Sequence, residues 1–366
     1  MLHIFKLACA SLASAALACA LAPNAQANGP HDRLFIGDGT DNNVEVFDAV
    51  SGLYQRTLPT AAAPVVGPRG ILAVANTLLL VNQNVDQPFN GEVLRFTPGT
   101  GAGLPPVVAG SRADAPFAPR GMVRWHDRLF VANVCNPCNP PKESGGGAVF
   151  EYTATGRLVA TLTPPASRPA EFHPFGLVIG PDGRLYVSSR QNLFTTDPGG
   201  ELGGEVLRFD PDTGAFRGAF VSSSGGDDRL NGPEGLVFGP DGRLYVTSFQ
   251  GSDADTDKIL VFDGPYGAQP GRRVGRIVLD QAGAGAQRST AQTLLFGPGG
   301  DLFVSISNVQ IGNGIDQGAI RRYRFRCTPS AARSCVTDFV SPGGPLGQGW
   351  YLTFGRTRPG TLAYGG

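Results

Sequence analysis

Six polar or aromatic residues occupy the same place in six related segments of the sequence. In four of these segments the residue lies between a proline and a glycine, as in Pro233-Glu234-Gly235. The set supplies two guanidinium groups, one carboxylate, one amide and two aromatic rings. Arginine presents a planar fork that fits a carboxylate or a phosphate, so the set suits an anionic or sugar-like ligand. An Arg–Glu network that only satisfies itself is the alternative. The six residues are Arg69, Arg120, Phe175, Glu234, Gln292 and Trp350.

A second candidate is an acidic loop. Asp253, Asp255 and Asp257 alternate along the chain, as carboxylates do at the start of a calcium-binding loop. The glycine expected at the sixth position is Lys258 and the glutamate expected at the twelfth is Gly264, so the loop is not an EF-hand. It is either a different calcium site or a solvated acidic loop.

Four cysteines follow the N-terminal segment, and an even number in an oxidising compartment indicates disulfides. Cys327 and Cys335 flank one turn and are expected to pair with each other. Cys135 and Cys138 lie in a loop at the opposite face, so pairing between the two sets is geometrically implausible. Cys135 and Cys138 then form either a local disulfide or a reduced pair.

An internal repeat shows which elements position these residues. One short apolar strand signal, such as Arg184-Leu-Tyr-Val187, recurs six times. Its central leucines are spaced by 45, 50, 56, 59 and 58 residues, which is a propeller-blade period with loop insertions. The leucines are Leu34, Leu79, Leu129, Leu185, Leu244 and Leu302.

Each copy belongs to a unit of four strand segments, which we name A to D in chain order. Gly-Pro-Asp-Gly at 180–183 and 239–242 predicts a tight hairpin between A and B. The N-terminal unit has no A segment, but residues 349–355 repeat the pattern of residues 233–239. The sequence therefore predicts an all-β, six-bladed β-propeller with four antiparallel strands per blade, closed by a C-terminal strand that joins the N-terminal blade. A β-sandwich or a solenoid is the alternative, although a solenoid would carry caps.

The connections between the predicted strands indicate where a site would lie. B-to-C and D-to-A connections share one end of a blade, and the predicted B-to-C connections are long. Long loops on a rigid scaffold are where function concentrates. We therefore expect a ligand site at the channel mouth that these loops surround. The B-to-C connections are 83–91, 133–147, 189–204, 248–258 and 306–318.

The units at 174–187 and 233–246 share the pattern Pro-x-Gly-Leu-Val-x-Gly-Pro-Asp-Gly-x-Leu-Tyr-Val. This pattern resembles NHL-repeat, gluconolactonase-like and streptogramin-lyase-like six-bladed propellers, which include lactonases, lyases and binding modules. Streptogramin-lyase-like blades have Leu-Trp-Phe-Thr-Glu after the turn, and this chain has Leu-Tyr-Val-Ser-Ser. The glutamate of a His/Glu acid–base pair is therefore missing. His173 remains a general-base candidate or an incidental loop histidine.

The gluconolactonase resemblance implies a divalent cation, such as calcium, held in the channel by one Glu, one or two Asn and an Asp. Glu234 fits the glutamate, and Asn84 or Asn133 could supply amide oxygens. No aspartate is securely placed. The implied ligand set is therefore incomplete.

The N-terminus has the layout of a secretory signal: a short start with one lysine, an apolar run and Ala25-Gln26-Ala27. We expect residues 1–27 to be a signal peptide and residues 28–366 to form one periplasmic or secreted domain. Anchoring as a lipoprotein at Cys19 is the less favoured alternative. No later stretch is long and apolar enough to span a membrane.

Composition limits the partners. The formal net charge is +0 and nearly all positive charge is scattered arginine, so the basic stripe of a nucleic-acid binder is missing. We expect a monomer with a small-molecule or protein ligand. Two functions remain: a binding or scaffolding propeller, which we favour, and a metal-dependent lactonase or esterase in which a cation activates water.

Overall fold

A computed structural model describes residues 33–58, 64–83, 90–135, 138–139, 142–143, 146–168, 171–192, 203–222, 229–280, 283, 287–311, 315–325 and 334–365. The structure confirms six four-stranded antiparallel sheets arranged as propeller blades. The sandwich and solenoid alternatives are therefore wrong. The expected signal segment and Cys19 lie outside the described residues. Within the described part of the chain, no helix has the length and apolar character needed to cross a membrane.

Blade 1 closes the ring as predicted, because the C-terminal strand pairs antiparallel with the first strand and places Phe35 opposite Thr353. This pairing joins an N-terminal and a C-terminal strand of the described residues and closes the inner edge of the ring. The strands of blade 1, from the channel outwards, are Gly349–Phe354, Arg33–Asp38, Asn43–Asp48 and Tyr54–Thr57.

Blades 2 to 6 each run outwards from A to D in chain order. Blade 2 has Pro68–Val74, Thr77–Asn82, Glu92–Phe96 and Gly103–Val108. Blade 3 has Pro119–Trp125, Arg128–Asn133, Ala148–Thr153 and Leu158–Leu162. Blade 4 has His173–Ile179, Leu185–Arg190, Glu205–Phe209 and Phe216–Ser222. Blade 5 has Leu236–Phe238, Leu244–Ser248, Lys258–Phe262 and Arg273–Val278. Blade 6 has Ala291–Phe296, Leu302–Ile311, Ile315–Tyr323 and Val336–Val340.

Two connections differ from the expectation of irregular loops. The B and C strands of blade 6 extend through most of the predicted loop 306–318, with Gln310 in register with Asp316. In blade 3 the loop 133–147 contains a small hairpin of Cys138–Asn139 and Lys142–Glu143. A three-residue 3₁₀ turn, Pro298–Gly300, links A and B of blade 6.

The repeated Leu-Tyr-Val and Leu-Phe-Val signals form the contacts between neighbouring blades. The ring of Tyr186 in blade 4 lies edge-on to Phe238 in blade 5, with centroids 5.0 Å apart. The Tyr186 hydroxyl donates a hydrogen bond to Asp182 Oδ2 at 3.0 Å, so the Pro-Asp-Gly turn satisfies the polar end of the buried ring. Gly183 completes that turn with φ 73, a conformation that favours glycine.

The C-terminal residues close the end of the channel opposite the B-to-C loops. The backbone amides of Arg124 and Ile179 donate to the carbonyls of Pro359 and Gly360, so this tail lies across two blades. Leu362 packs against four of the hydrophobic clusters that lie between blades. A cavity of only about 30 Å³ lies between Leu362 and the inner strands, so the C-terminal residues leave little room for a ligand at this end.

Candidate binding site at the channel mouth

Three of the six predicted residues meet on one side of the mouth. Arg69 donates through Nη1 to Oε1 of Gln292 at 2.6 Å. Its guanidinium carbon lies 3.5 Å from the ring centroid of Trp350, within the range of a cation–π interaction. Gln83, which directly follows the B strand of blade 2, accepts a hydrogen bond from Arg69 Nε at 2.9 Å. Arg69 is thus fixed by two amides and an indole, none of which neutralises its charge.

The other three predicted residues meet around an arginine that sequence reasoning missed. Arg190 ends the B strand of blade 4, and its Nη2 lies 2.5 Å from Oε1 of Glu234. The Arg190 guanidinium carbon is 4.0 Å from the Phe175 ring centroid, and that of Arg120 is 5.3 Å from the same centroid. The ring centroid of Phe249 lies 5.1 Å from the Arg190 guanidinium carbon. Glu234 therefore pairs with Arg190 from the adjacent blade.

Arg69 and Glu234 belong to blades 2 and 5, which lie on opposite sides of the ring of six blades. The two charges interact at a distance, but each side chain has its own closer partners. Glu234 is only 5% exposed, so it is a buried carboxylate rather than one at the solvent-exposed rim. Its ion pair with Arg190 agrees with one part of the alternative hypothesis, in which arginine and glutamate side chains of the network pair with each other.

The described part of this network does not satisfy all of its own polar groups. Among the described residues, the Nε atoms of Arg120 and Arg190, the Oε2 atom of Glu234 and the Tyr351 hydroxyl are buried and have no hydrogen-bond partner. Leaving a buried donor or acceptor unsatisfied costs about 1–3 kcal/mol each. Such a group in a folded protein requires an explanation, and a ligand that completes the bonds is one.

Tyr351 lies at a position that four other blades fill with glycine. A Cβ atom built on Gly121 would lie 2.4 Å from the Phe175 carbonyl oxygen, so glycine allows neighbouring A strands to approach closely. The closing strand carries a tyrosine there instead, and blade 6 carries Thr293. The four glycines are Gly70, Gly121, Gly176 and Gly235.

The electrostatics of the cluster follow from burial and from an excess of cations. Burial lowers the pKa of Arg190 to about 10, and the carboxylate of Glu234 partly offsets this shift. Burial, with Arg120 nearby, lowers the pKa of Arg69 well below its usual range. Burial beside Glu234 raises the pKa of Tyr351, so the hydroxyl keeps its proton near neutral pH. Three guanidinium groups and one carboxylate give the cluster a formal charge of about +2 at neutral pH.

His173 and Asn133 have structural roles. His173 is fully buried, with Nδ1 3.0 Å from the Val134 carbonyl oxygen and Nε2 2.9 Å from Oε2 of Glu171. Both ring nitrogens therefore contact groups of the protein itself. Asn133 accepts a hydrogen bond from the Ala118 amide at 2.7 Å, so its amide oxygen holds the loop before blade 3. Asn84 lies outside the described residues.

The acidic loop is held by cations of the protein itself. Asp255 accepts a hydrogen bond from the Lys258 Nζ atom at 2.5 Å, and Lys258 is fully buried. Asp257 pairs with Arg288, whose Nη2 lies 2.6 Å from Oδ1. Asp253 is exposed. The Lys258 ammonium group balances the negative charge of Asp255, which a bound cation would balance in a calcium loop.

The described residues of this cluster do not fit a divalent cation. Among them, Glu234 is the single carboxylate beside three arginines, and like charges repel a cation strongly in a buried site. Among the described residues, no group of three or more His, Cys, Asp or Glu side chains could hold a metal ion. The disulfide pairings remain predictions, because the side chains of Cys138 and Cys327 lie outside the described residues.

Comparisons with known proteins agree with this architecture. The family described as strictosidine synthase-like, N-terminal, matches residues 226–252. A provisionally named 6-phosphogluconolactonase from Bacteroides uniformis is 20% identical, with a TM-score of 0.50 over 81% of this chain and 80% of that chain. A luciferin-regenerating enzyme is 12% identical, with a TM-score of 0.48 over 76% of this chain and 85% of its own. A provisionally named gluconolactonase is 16% identical, with a TM-score of 0.48 over 76% and 82% of the two chains.

No curated protein is significantly similar to the chain in sequence. The family match covers one segment of blade 5, and it includes Glu234. A sequence identity of 20% indicates a shared fold and does not assign the activity of that protein to this chain. The comparisons therefore support the β-propeller fold.

Proposed function

We propose that the protein is an exported binding propeller that holds a small anionic ligand at the channel mouth, and that this ligand also carries hydroxyl groups. The observation that carries the proposal is the set of four buried, unpaired polar atoms among Arg120, Arg190, Glu234 and Tyr351. Export rests on the signal-like N-terminus.

The unpaired atoms specify the chemistry of the ligand. The Nε atoms of Arg120 and Arg190 are donors, so they require an acceptor such as a carboxylate or phosphate oxygen. Oε2 of Glu234 is an acceptor and requires a donor such as a hydroxyl group. A hydroxylated carboxylate satisfies both requirements, whereas a plain aliphatic acid satisfies the first alone.

The surroundings of the arginines support binding of an anion. Arg190 lies between the rings of Phe175 and Phe249, and Arg69 lies against Trp350. Aromatic rings fix the orientation of a guanidinium group and leave its charge available. A charge-assisted hydrogen bond formed in such a site is about twice as strong as a neutral one.

The alternative, a metal-dependent lactonase or esterase, has less support. It requires a cation beside Glu234 and a general base, and the contacts of the three arginines and of His173 supply neither. The fold is shared with proteins named as lactonases. A lactone or its hydroxy-acid product is therefore among the ligands that the mouth would accept.

Isothermal titration calorimetry tests the proposal with two six-carbon acids, D-gluconate and hexanoate. We expect gluconate to bind with a 1:1 stoichiometry, and at least about tenfold more tightly than hexanoate, because a site that bonds hydroxyls rejects an analogue without them. Arg190→Met should abolish binding of gluconate. Arg184→Met, at the other end of the same strand, is the matched control and should bind as the wild type does. Equal binding of the two acids, or unchanged binding by Arg190→Met, would overturn the proposal.

A further inference from the structure

A second cluster of arginines lies at the opposite end of the propeller, between blades 2 and 3. Arg95 comes from the C strand of blade 2, and Arg124 and Arg128 flank the A-to-B turn of blade 3. All three line one cavity of about 130 Å³. The turns around this cavity are A-to-B and C-to-D turns, so it lies away from the mouth.

The guanidinium groups in this cavity are incompletely paired. Arg95 Nε and Arg128 Nη1 are buried and have no hydrogen-bond partner among the described residues. The contacts of Arg128 with described carboxylates are long, 3.5 Å to Asp127 and 3.7 Å to Glu151. Arg95 forms no ion pair with any described residue. The lining of the cavity contains three guanidinium groups and no carboxylate, so an anion would be stabilised there.

Apart from the arginines and Thr77, the cavity wall is aliphatic. Val74, Leu79, Val107 and Leu129 line it. An apolar cavity of about 150 Å³ binds benzene, which has six heavy atoms. A cavity of 130 Å³ therefore admits a carboxylate with a short hydrocarbon chain.

We propose that this cavity is a second ligand site, which binds a short-chain aliphatic monocarboxylate of about four carbons. The carboxylate accepts hydrogen bonds from Arg95 Nε and Arg128 Nη1, and its hydrocarbon chain lies against Leu79 and Leu129. Burial of the apolar hydrocarbon chain favours such an acid over an inorganic anion.

Calorimetric titration with butyrate, in a chloride-free buffer, tests the second site. The repeat supplies a matched control, because Arg95 and Arg208 occupy the same position in two identical segments, Glu92–Phe96 and Glu205–Phe209. Arg95→Met should raise the Kd for butyrate at least about tenfold, the worth of one charge-assisted hydrogen bond. Arg208→Met and the mouth variant Arg190→Met should bind butyrate as the wild type does.

Arg124→Met provides a second test if Arg95→Met does not fold. Arg124 is partly exposed, and the one side-chain hydrogen bond that it forms with described residues runs from Nε to the His126 carbonyl, at 3.0 Å. This variant should also weaken butyrate binding. The proposal is wrong if the wild type shows no saturable binding, or if Arg95→Met and Arg208→Met bind equally. Chloride that competes as strongly as butyrate would overturn the assignment to an aliphatic acid.

Discussion

The Glu234→Gln substitution tests how the charges at the mouth are balanced. Glu234 is 5% exposed, and its Oε1 lies 2.5 Å from Nη2 of Arg190. Removing one partner of a buried ion pair costs about 3–5 kcal/mol, because the remaining charge is stranded. Glutamine keeps an oxygen that can accept from Arg190, so we expect the lower end, about 3 kcal/mol. The melting temperature should fall by at most roughly 10 °C.

The same substitution changes the response to anions. Without the carboxylate, the formal charge of the cluster rises by one, and Arg69, Arg120 and Arg190 repel one another unopposed. Sulfate should therefore stabilise Glu234→Gln more than it stabilises the wild type. An anion at 100 times its Kd restores about 2.7 kcal/mol, which is most of the expected loss.

Thermal melting with and without sulfate measures both effects. The matched control is Glu205→Gln, because Glu205 forms a buried ion pair with Arg168 outside this cluster. That variant should lose stability without a special gain from sulfate. If Glu234→Gln melts like the wild type and responds to sulfate in the same way, the ion pair does not balance the charge at the mouth, and our electrostatic argument fails.

Three further predictions concern other parts of the molecule. Leu362→Ala should lower the free energy of unfolding in urea by about 2 kcal/mol, because Leu362 packs between blades at the closed end. The substitution should leave gluconate binding unchanged. An equal loss of stability in Thr361→Ala would contradict this prediction. Burial, with Asp257 nearby, raises the pKa of Asp280 to about 6. Since this folded-state value exceeds the unfolded value of about 3.9, the stability that Asp280 contributes is present below about pH 4 and is lost as the pH rises through 6. Urea unfolding should show the wild type losing stability relative to Asp280→Asn across that range, and parallel profiles would refute the shift. Mass mapping should find no peptide that links the two predicted cysteine pairs to each other, and such a peptide would refute the pairing of Cys135 with Cys138 and Cys327 with Cys335.

The repeat predicted the blades and the ring closure because both depend on local patterns. Alternating apolar residues and the Pro-Asp-Gly turns specify each hairpin, and the missing first A strand required residues 349–355 to supply it. The pattern gave no role to the residues after 355. Leu362 closes the channel through contacts with several blades, which no local signal reveals.

The site was predicted in part for a similar reason. The repeat position at the start of each A segment includes Arg69, Gln292 and Trp350, which the structure brings together. Arg190 was missed although it lies in the predicted B-to-C connection 189–204, because only asparagines were considered at the ends of the B strands. Topology places both positions at the mouth, so the ends of the B strands were a usable signal.

Loop polar residues were harder to interpret. His173 and Asn133 bond to backbone groups that are distant in sequence. The partner of His173 lies 39 residues away, and that of Asn133 lies 15 residues away. Such partners depend on tertiary structure, and a residue type alone does not show whether a polar group is already satisfied.

Tryptophan fluorescence tests most directly whether a ligand binds at the mouth. The chain has two tryptophans: Trp350 lies against Arg69 at the mouth, and Trp125 lies at the opposite end, where its Nε1 donates to Asp212. In Trp125→Phe, titration with D-gluconate should change the Trp350 emission along the same saturation curve as the calorimetric heat. Saturable binding of gluconate that leaves the Trp350 emission unchanged would contradict our account, because the ligand would then lie elsewhere.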